Sequence, residues 1–103
     1  TTQTPHLQFG VGPAGSGAPL HDHLSAINAL GVGKKLWAIT KPAHTSFTQL
    51  PAHLYFKRLL NPNQTAFCVQ NPGDIIFIPA NFGHAILNLK PSITIAAEFT
   101  VQL

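Results

Sequence analysis

Proline and glycine interrupt this chain so often that few apolar runs outgrow a β-strand, and that punctuation limits the fold more than any other feature. Leu7 to Val11 ends in Gly12-Pro13-Ala14-Gly15-Ser16-Gly17. Pro19 to His23 and Ala26 to Leu30 follow, then a turn at Gly31-Val32-Gly33. From Lys35 to Thr40, Leu36, Ala38 and Thr40 alternate against Trp37 and Ile39, the period of a strand with two unlike faces, and Lys41-Pro42 closes it. Strand-like runs resume at Ala66 to Gln70, Ile75 to Ile78, His84 to Leu89 and Ser92 to Thr100. Turns at Asn71-Pro72-Gly73-Asp74, Pro79 to Gly83 and Lys90-Pro91 separate them. About eight short strands at this spacing predict an all-β chain closed into an antiparallel barrel or jelly roll, which removes exposed strand edges. Residues 43–65 break the pattern. There Pro51 suits a first helical turn, Leu54, Tyr55, Phe56 and Leu59 supply an apolar face, and Pro62 ends it, so a short helical insertion is expected. An open two-sheet sandwich is the competing architecture, and it leaves the convergence of the histidines discussed below without a reason.

Length and composition bound the rest. A chain of 103 residues, 45% apolar and 9% charged, makes one domain with its own core. That domain is expected to run over 1–103, as an excised part of a longer protein or as a mature fragment. The net charge of +3 comes from scarce acids. Lys34, Lys35, Lys41, Lys57, Arg58 and Lys90 are scattered and form no basic stripe, so no nucleic-acid partner is expected. No apolar run approaches the ~18 residues of a spanning helix, so no membrane partner is expected either. The single cysteine, Cys68 in Ala-Phe-Cys-Val-Gln, excludes an internal disulfide and reads as a buried small hydrophobe.

The chemistry concentrates in three histidines. His21 and His23 flank Asp22, and alternate side chains of a strand share a face, so the two imidazoles are expected to project together while Asp22 points away. His84 follows Pro79-Ala-Asn-Phe-Gly, a tight turn that opens a new strand. A same-face pair plus one distant histidine is a donor set for a divalent ion, and neutral imidazole suits zinc, copper, iron and nickel alike. His6, His44 and His53 have no partner at ligand spacing and read as ordinary structural histidines.

Gly15 followed by His21-Asp22-His23 resembles the first cupin motif, and Gly73 with Pro79, His84 and Asn88 resembles the second. Asn28 stands near the place where the first motif supplies glutamate, and Asn81 replaces the glycine usual before the second histidine. Within that superfamily the chain is most similar to JmjC domains, the branch of 2-oxoglutarate-dependent oxygenases. The likeness rests on Gly12-Pro13-Ala14-Gly15-Ser16-Gly17, on Asn28-Ala29-Leu30 leading to Gly33-Lys34-Lys35-Leu36-Trp37, and on Gln70-Asn71-Pro72-Gly73-Asp74-Ile75-Ile76-Phe77-Ile78-Pro79. His84-Ala-Ile-Leu-Asn88-Leu89 completes it, and only 43–65 falls outside.

The resemblance implies a double-stranded β-helix, the cupin jelly-roll barrel, holding Fe(II) or another divalent metal with 2-oxoglutarate as cosubstrate. Residue by residue, it implies His21, His23 and His84 as the metal ligands and catalytic centre, Lys35 on the distal carboxylate of 2-oxoglutarate, and Asn28 beside it. A buried ammonium is a strong anchor for a carboxylate, and an amide donates well next to it. His23 departs from the family, whose iron is held by two histidines and one carboxylate. The neutral third ligand leaves more positive charge on the metal. Glu98 stands where related domains often carry asparagine, and an inward-facing carboxylate there would return that charge. The implied activity is that of an oxygenase hydroxylating a side chain of a protein or peptide substrate. Two other readings stay open: a non-catalytic metal-binding interaction module, and a three-histidine cupin enzyme acting on a small molecule without 2-oxoglutarate. The sequence carries no zinc finger or chromatin-reading module that would favour histone demethylation.

Overall fold

A computed structural model describes residues 6–21, 24–44 and 49–100, with the backbone alone described at 19, 21, 44 and 59. The strands within these residues are β1 (His6–Gly12), β2 (Gly17–His21), β3 (Ser25–Thr40), β4 (Ala66–Gln70), β5 (Ile75–Ile78) and β6 (Gly83–Phe99), and every pairing is antiparallel. The expected strands Ala26 to Leu30 and Lys35 to Thr40 are one strand, β3, and His84 to Leu89 and Ser92 to Thr100 are one strand, β6. Gly31-Val32-Gly33 and Lys90-Pro91 therefore do not reverse the chain. β3 and β6 stay paired through both, with register slips between Leu30 and Val32, between Val32 and Lys34, and between Lys34 and Lys35. Bulges of this kind bend a strand sharply without ending it.

The bends divide the molecule into two faces that share β3 and β6. On the first, β1 pairs with residues 92–98 of β6, these pair with residues 25–32 of β3, and β5 completes the row. On the second, β2 pairs with the start of β6, β6 pairs with residues 34–40 of β3, and β4 completes the row. This is the double-stranded β-helix, the jelly-roll barrel that the sequence predicts. Trp37 and Ile78, both 2% exposed, fill the space between the faces.

Gly33 sits at the bend for two physical reasons. Its φ of +108° lies where a β-carbon is strained, and a β-carbon there would stand 2.5 Å from the Pro91 carbonyl oxygen and also meet the Ser92 hydroxyl. Gly33→Ala is expected to destabilise the fold by about 2 kcal/mol or more, because left-handed strain and a backbone clash add. Chemical denaturation measures it, and an unchanged midpoint would show that the bend tolerates a side chain.

The insertion forms as predicted. Ala52–Leu54 is helical and continues as a wider helical turn over Tyr55–Leu59, with the Leu54 and Tyr55 amides donating to the Pro51 carbonyl at 2.9 and 3.0 Å. Pro62–Gln64 is a separate tight turn capped by Asn61, whose Oδ1 accepts from the Asn63 amide at 3.0 Å. Tyr55 packs with Leu20, Ala38 and Ala85, and Phe56 and Leu60 close over them, so the insertion covers the outside of the second face over β2, β3 and β6 and leaves β4 uncovered. No helix among the described residues is long and apolar enough to cross a membrane. Cys68 is exposed rather than buried, because β4 is the outer strand of its row and Phe67 and Val69 beside it are exposed as well.

Candidate metal and cosubstrate site

Between the two faces lies a cavity of about 520 Å³. Gly10, Ala18, Ala26 and Ala96 line it, and small residues at these inward positions leave the space that a filled barrel would lack. Asn28, Lys35, Trp37, His84, Thr94 and Glu98 line it as well, so its polar groups come from both faces.

The Pro79 to Phe82 turn delivers His84. The Phe82 amide donates to the Pro79 carbonyl at 3.3 Å, and Asn81 takes a φ of +69°, the sole non-glycine in that region among the described residues. Asparagine tolerates the left-handed conformation, which is why it serves in place of glycine. The His84 ring is 3% exposed, and its centroid is 5.9 Å from that of Trp37. Its Nδ1 lies 3.3 Å from the Phe82 carbonyl oxygen. With the proton on Nδ1 donated to that oxygen, the lone pair sits on Nε2, the usual way a protein presents a histidine to a metal.

His21 ends β2, and its Cα stands directly opposite that of His84 in the β2–β6 register. His23 and Asp22 lie outside the described residues, as does the His21 side chain, so the expected three-histidine set is not assembled in view. Among the described residues no three His, Cys, Asp or Glu side chains cluster.

Lys35 sits just past the last bulge of β3, opposite Asn88 on β6 and Gln70 on β4. It is 9% exposed, burial holds its pKa below the usual lysine value, and its ammonium has neither hydrogen bond nor ion pair among the described residues. A buried ammonium without a counter-charge is costly, and a bound anion removes the cost. Thr94, 4% exposed, presents a hydroxyl with no partner from the same cavity wall. Sequence reasoning missed Thr94. The signal was available: counting back from Glu98 by twos places Ala96, Thr94 and Ser92 on one face of β6, with Ile93 and Ile95 on the other.

Asn28 is held by a residue that the sequence reading also missed. Gln70, fully buried, accepts from Trp37 Nε1 at 2.9 Å and donates from Nε2 to the Asn28 carbonyl, the Asn28 Oδ1 and the Asp74 carbonyl at 3.0, 3.2 and 3.2 Å. With its Oδ1 taken by Gln70, Asn28 keeps its NH2 as the group to offer elsewhere. One side chain thus fixes both the indole beside His84 and the amide beside the cavity. Glu98, opposite His6 and Ala26 in register, lines the cavity and so faces inward.

Such a barrel, with a histidine at the start of its last strand and an unpaired lysine inside, has known relatives. The JmjC domain model matches residues 9–102. This chain belongs to the JmjC domain family. The JmjC domain-containing protein 8 of Rattus norvegicus is 31% identical over 99 residues, which are 90% of this chain and 37% of that protein. The bifunctional arginine demethylase and lysyl-hydroxylase psr-1 of Caenorhabditis elegans is 29% identical over 118 residues, 92% of this chain and 30% of that protein. Among solved structures, the ribosomal oxygenase YcfD of Escherichia coli in complex with cobalt and 2-oxoglutarate shares the fold, with a TM-score of 0.68 at 19% identity over 94% of this chain and 24% of that one. This chain spans from 13% to 37% of the length of the curated relatives it matches.

Proposed function

We propose that this domain is a 2-oxoglutarate-dependent oxygenase that uses Fe(II) or another divalent metal to hydroxylate a side chain of a protein or peptide. The observation that carries the reading is the buried, unpaired Lys35 ammonium in one cavity with the unpartnered Thr94 hydroxyl and the His84 ring. A dicarboxylate fits this set: Lys35 neutralises its distal carboxylate, Thr94 donates to the same group, and Asn28 offers its NH2 alongside. His84, with Nδ1 turned to the Phe82 carbonyl, offers Nε2 as a ligand, and His21 and His23 complete the donor set. A metal held there would bring O2 together with 2-oxoglutarate, which is oxidised to succinate and CO2 and takes up one oxygen atom, the other converting the substrate C–H to C–OH. Trp37 walls the cavity beside His84 and keeps water from that side, while Glu98 contributes the negative charge that His23 does not. The lysyl-hydroxylase named among the relatives supports a protein side chain as substrate.

The replacement of the family carboxylate by His23 favours a second reading, a JmjC module that binds metal without catalysis, and leaves room for a three-histidine cupin enzyme that acts on a small molecule without 2-oxoglutarate. One experiment separates the three. Succinate release from 2-oxoglutarate is measured at matched iron occupancy for wild type, His23→Asp and Glu98→Gln. The wild type is expected to turn over, His23→Asp to do so faster by about tenfold, equivalent to ~1.4 kcal/mol of transition-state stabilisation, and Glu98→Gln to be slower. No turnover in any of them, with 2-oxoglutarate unbound, would sink the oxygenase reading, and oxygen uptake with small substrates would then distinguish the remaining two.

A further inference from the structure

Lys35 lines two cavities at once. Beside the first lies a second of about 320 Å³, and Gly10, Ala18, Lys35 and Ile86 belong to the walls of both. Glycine and alanine there leave room for the ammonium to turn to either side on its flexible four-carbon stem. His84 and Glu98 share the first cavity with Lys35, whereas no other titratable group among the described residues lines the second. Lys34 and Lys90, opposite each other in register nearby, line neither. Asn88 lines the second cavity and stands directly opposite Lys35 in the β3–β6 register. Residues so opposed bring their β-carbons within about 4.5–5.5 Å.

The Asn88 amide can point only one way. The Ser16 hydroxyl gives its single proton to the Pro13 carbonyl at 2.6 Å, so toward Asn88 it can only accept. Asn88 Nδ2 donates to it at 3.0 Å, which turns Oδ1 away from Ser16. Asn88 is 6% exposed, and its Oδ1 is buried without a partner. A buried acceptor without a donor is costly, and so is a buried ammonium without an acceptor. These two unpaired groups stand across one rung of the same ladder.

We propose that Asn88 positions Lys35: its Oδ1 accepts one proton of the ammonium and leaves the other two for the carboxylate in the first cavity. The role rests on the oxygenase reading, while the contact itself does not. A neutral amide suits the task, because it orients the ammonium without cancelling the charge that the cosubstrate needs. An aspartate in its place would form the ion pair itself and compete with the dicarboxylate. Asn88 also ties the Gly12 to Gly17 loop to β6, since its backbone amide donates to the Ser16 carbonyl and its carbonyl accepts from the Gly15 amide, both at 2.8 Å. The anchor of the cavity and the loop beside it thus meet in one residue.

Lysine side-chain NMR without cosubstrate tests the contact, with the Lys35 signal assigned by its loss in Lys35→Arg. Asn88→Asp, nearly isosteric, is expected to raise the Lys35 titration midpoint by about 1 pH unit or more, and Asn88→Leu to lower it. Ser16→Ala releases the loop from the Asn88 side chain but leaves Oδ1 in place, so its midpoint is expected to stay with wild type. That contrast separates the contact from a role in loop structure alone, and Asn88→Asp decides by itself should Asn88→Leu unfold. Midpoints unchanged in the Asn88 variants, or moved as far in Ser16→Ala as in Asn88→Leu, overturn the proposal. Calorimetry reads the role: 2-oxoglutarate affinity is expected to fall at least ~10-fold in Asn88→Asp, and an affinity equal to wild type overturns it. A wild type that does not bind 2-oxoglutarate overturns the oxygenase reading and the positioning role with it, while the titrations still decide the contact.

Discussion

Gln70→Leu is expected to cost the domain about 3 kcal/mol of stability and to lower its melting temperature by roughly 10 to 20 °C. Leucine has nearly the same size, so no cavity opens and the loss isolates the hydrogen bonds. Trp37 Nε1 loses its acceptor and the Asn28 carbonyl and Oδ1 lose the Gln70 donor, in a place where Gln70 itself is 0% exposed, while the Asp74 carbonyl keeps the Leu30 amide at 3.3 Å. Each buried polar group left unpaired costs about 1 to 3 kcal/mol, and the added apolar burial of leucine offsets only part of that. Trp37 is the single tryptophan, so its fluorescence reports the same event locally. Gln70→Glu makes a useful contrast: it keeps an acceptor for the indole but turns the donor into a carboxylate facing three carbonyl oxygens, and it is expected to be no better tolerated. Because Gln70 also orients Asn28, 2-oxoglutarate affinity should fall in both variants while metal content holds. A melting temperature within a degree or two of wild type would show that these bonds add nothing to stability.

The sequence made the barrel legible because turn chemistry and a two-residue period agree along most of the chain. β4, β5, the Pro79 to Phe82 turn and the insertion all fall where the punctuation puts them. The same punctuation misled at Gly31-Val32-Gly33 and Lys90-Pro91, since glycine and proline mark a bulge as readily as a reversal, and only the partner strand decides between them. β2 shows a related limit. Its register slips between Ala18 and His21, so face assignments by counting twos do not run unbroken along that strand. Gln70 stayed hidden because its partners, Trp37 and Asn28, are distant in sequence and meet it only through the pairing of β3 with β4 and β5. Lys35 and Asn28, named from the resemblance, do lie in one cavity with His84, whereas His23 falls outside the described residues.

Lys35→Ala is expected to weaken 2-oxoglutarate binding about tenfold to a hundredfold, the loss of a charge-assisted contact worth ~1.5 to 3 kcal/mol, with metal content unchanged. Lys35→Arg sharpens the test through pH. Burial lowers the Lys35 pKa from the ordinary 10.5, so the folded protein gives up this proton at a pH where the unfolded chain still holds it. Between those two values the unfolded state binds more protons, and stability without ligand therefore rises with pH across that window. A bound carboxylate reverses the preference, because it stabilises the ammonium and draws the pKa back up. Affinity for 2-oxoglutarate should then be flat while Lys35 stays protonated and fall as pH climbs through its lowered pKa. An arginine cannot lose its proton in this range, so in Lys35→Arg that decline should vanish even if the absolute affinity changes. Calorimetric titration with 2-oxoglutarate over a series of pH values measures both effects. Equal affinity in wild type and Lys35→Ala, or the same decline with pH in Lys35→Arg as in wild type, would remove Lys35 from the site and with it the observation on which the oxygenase reading stands.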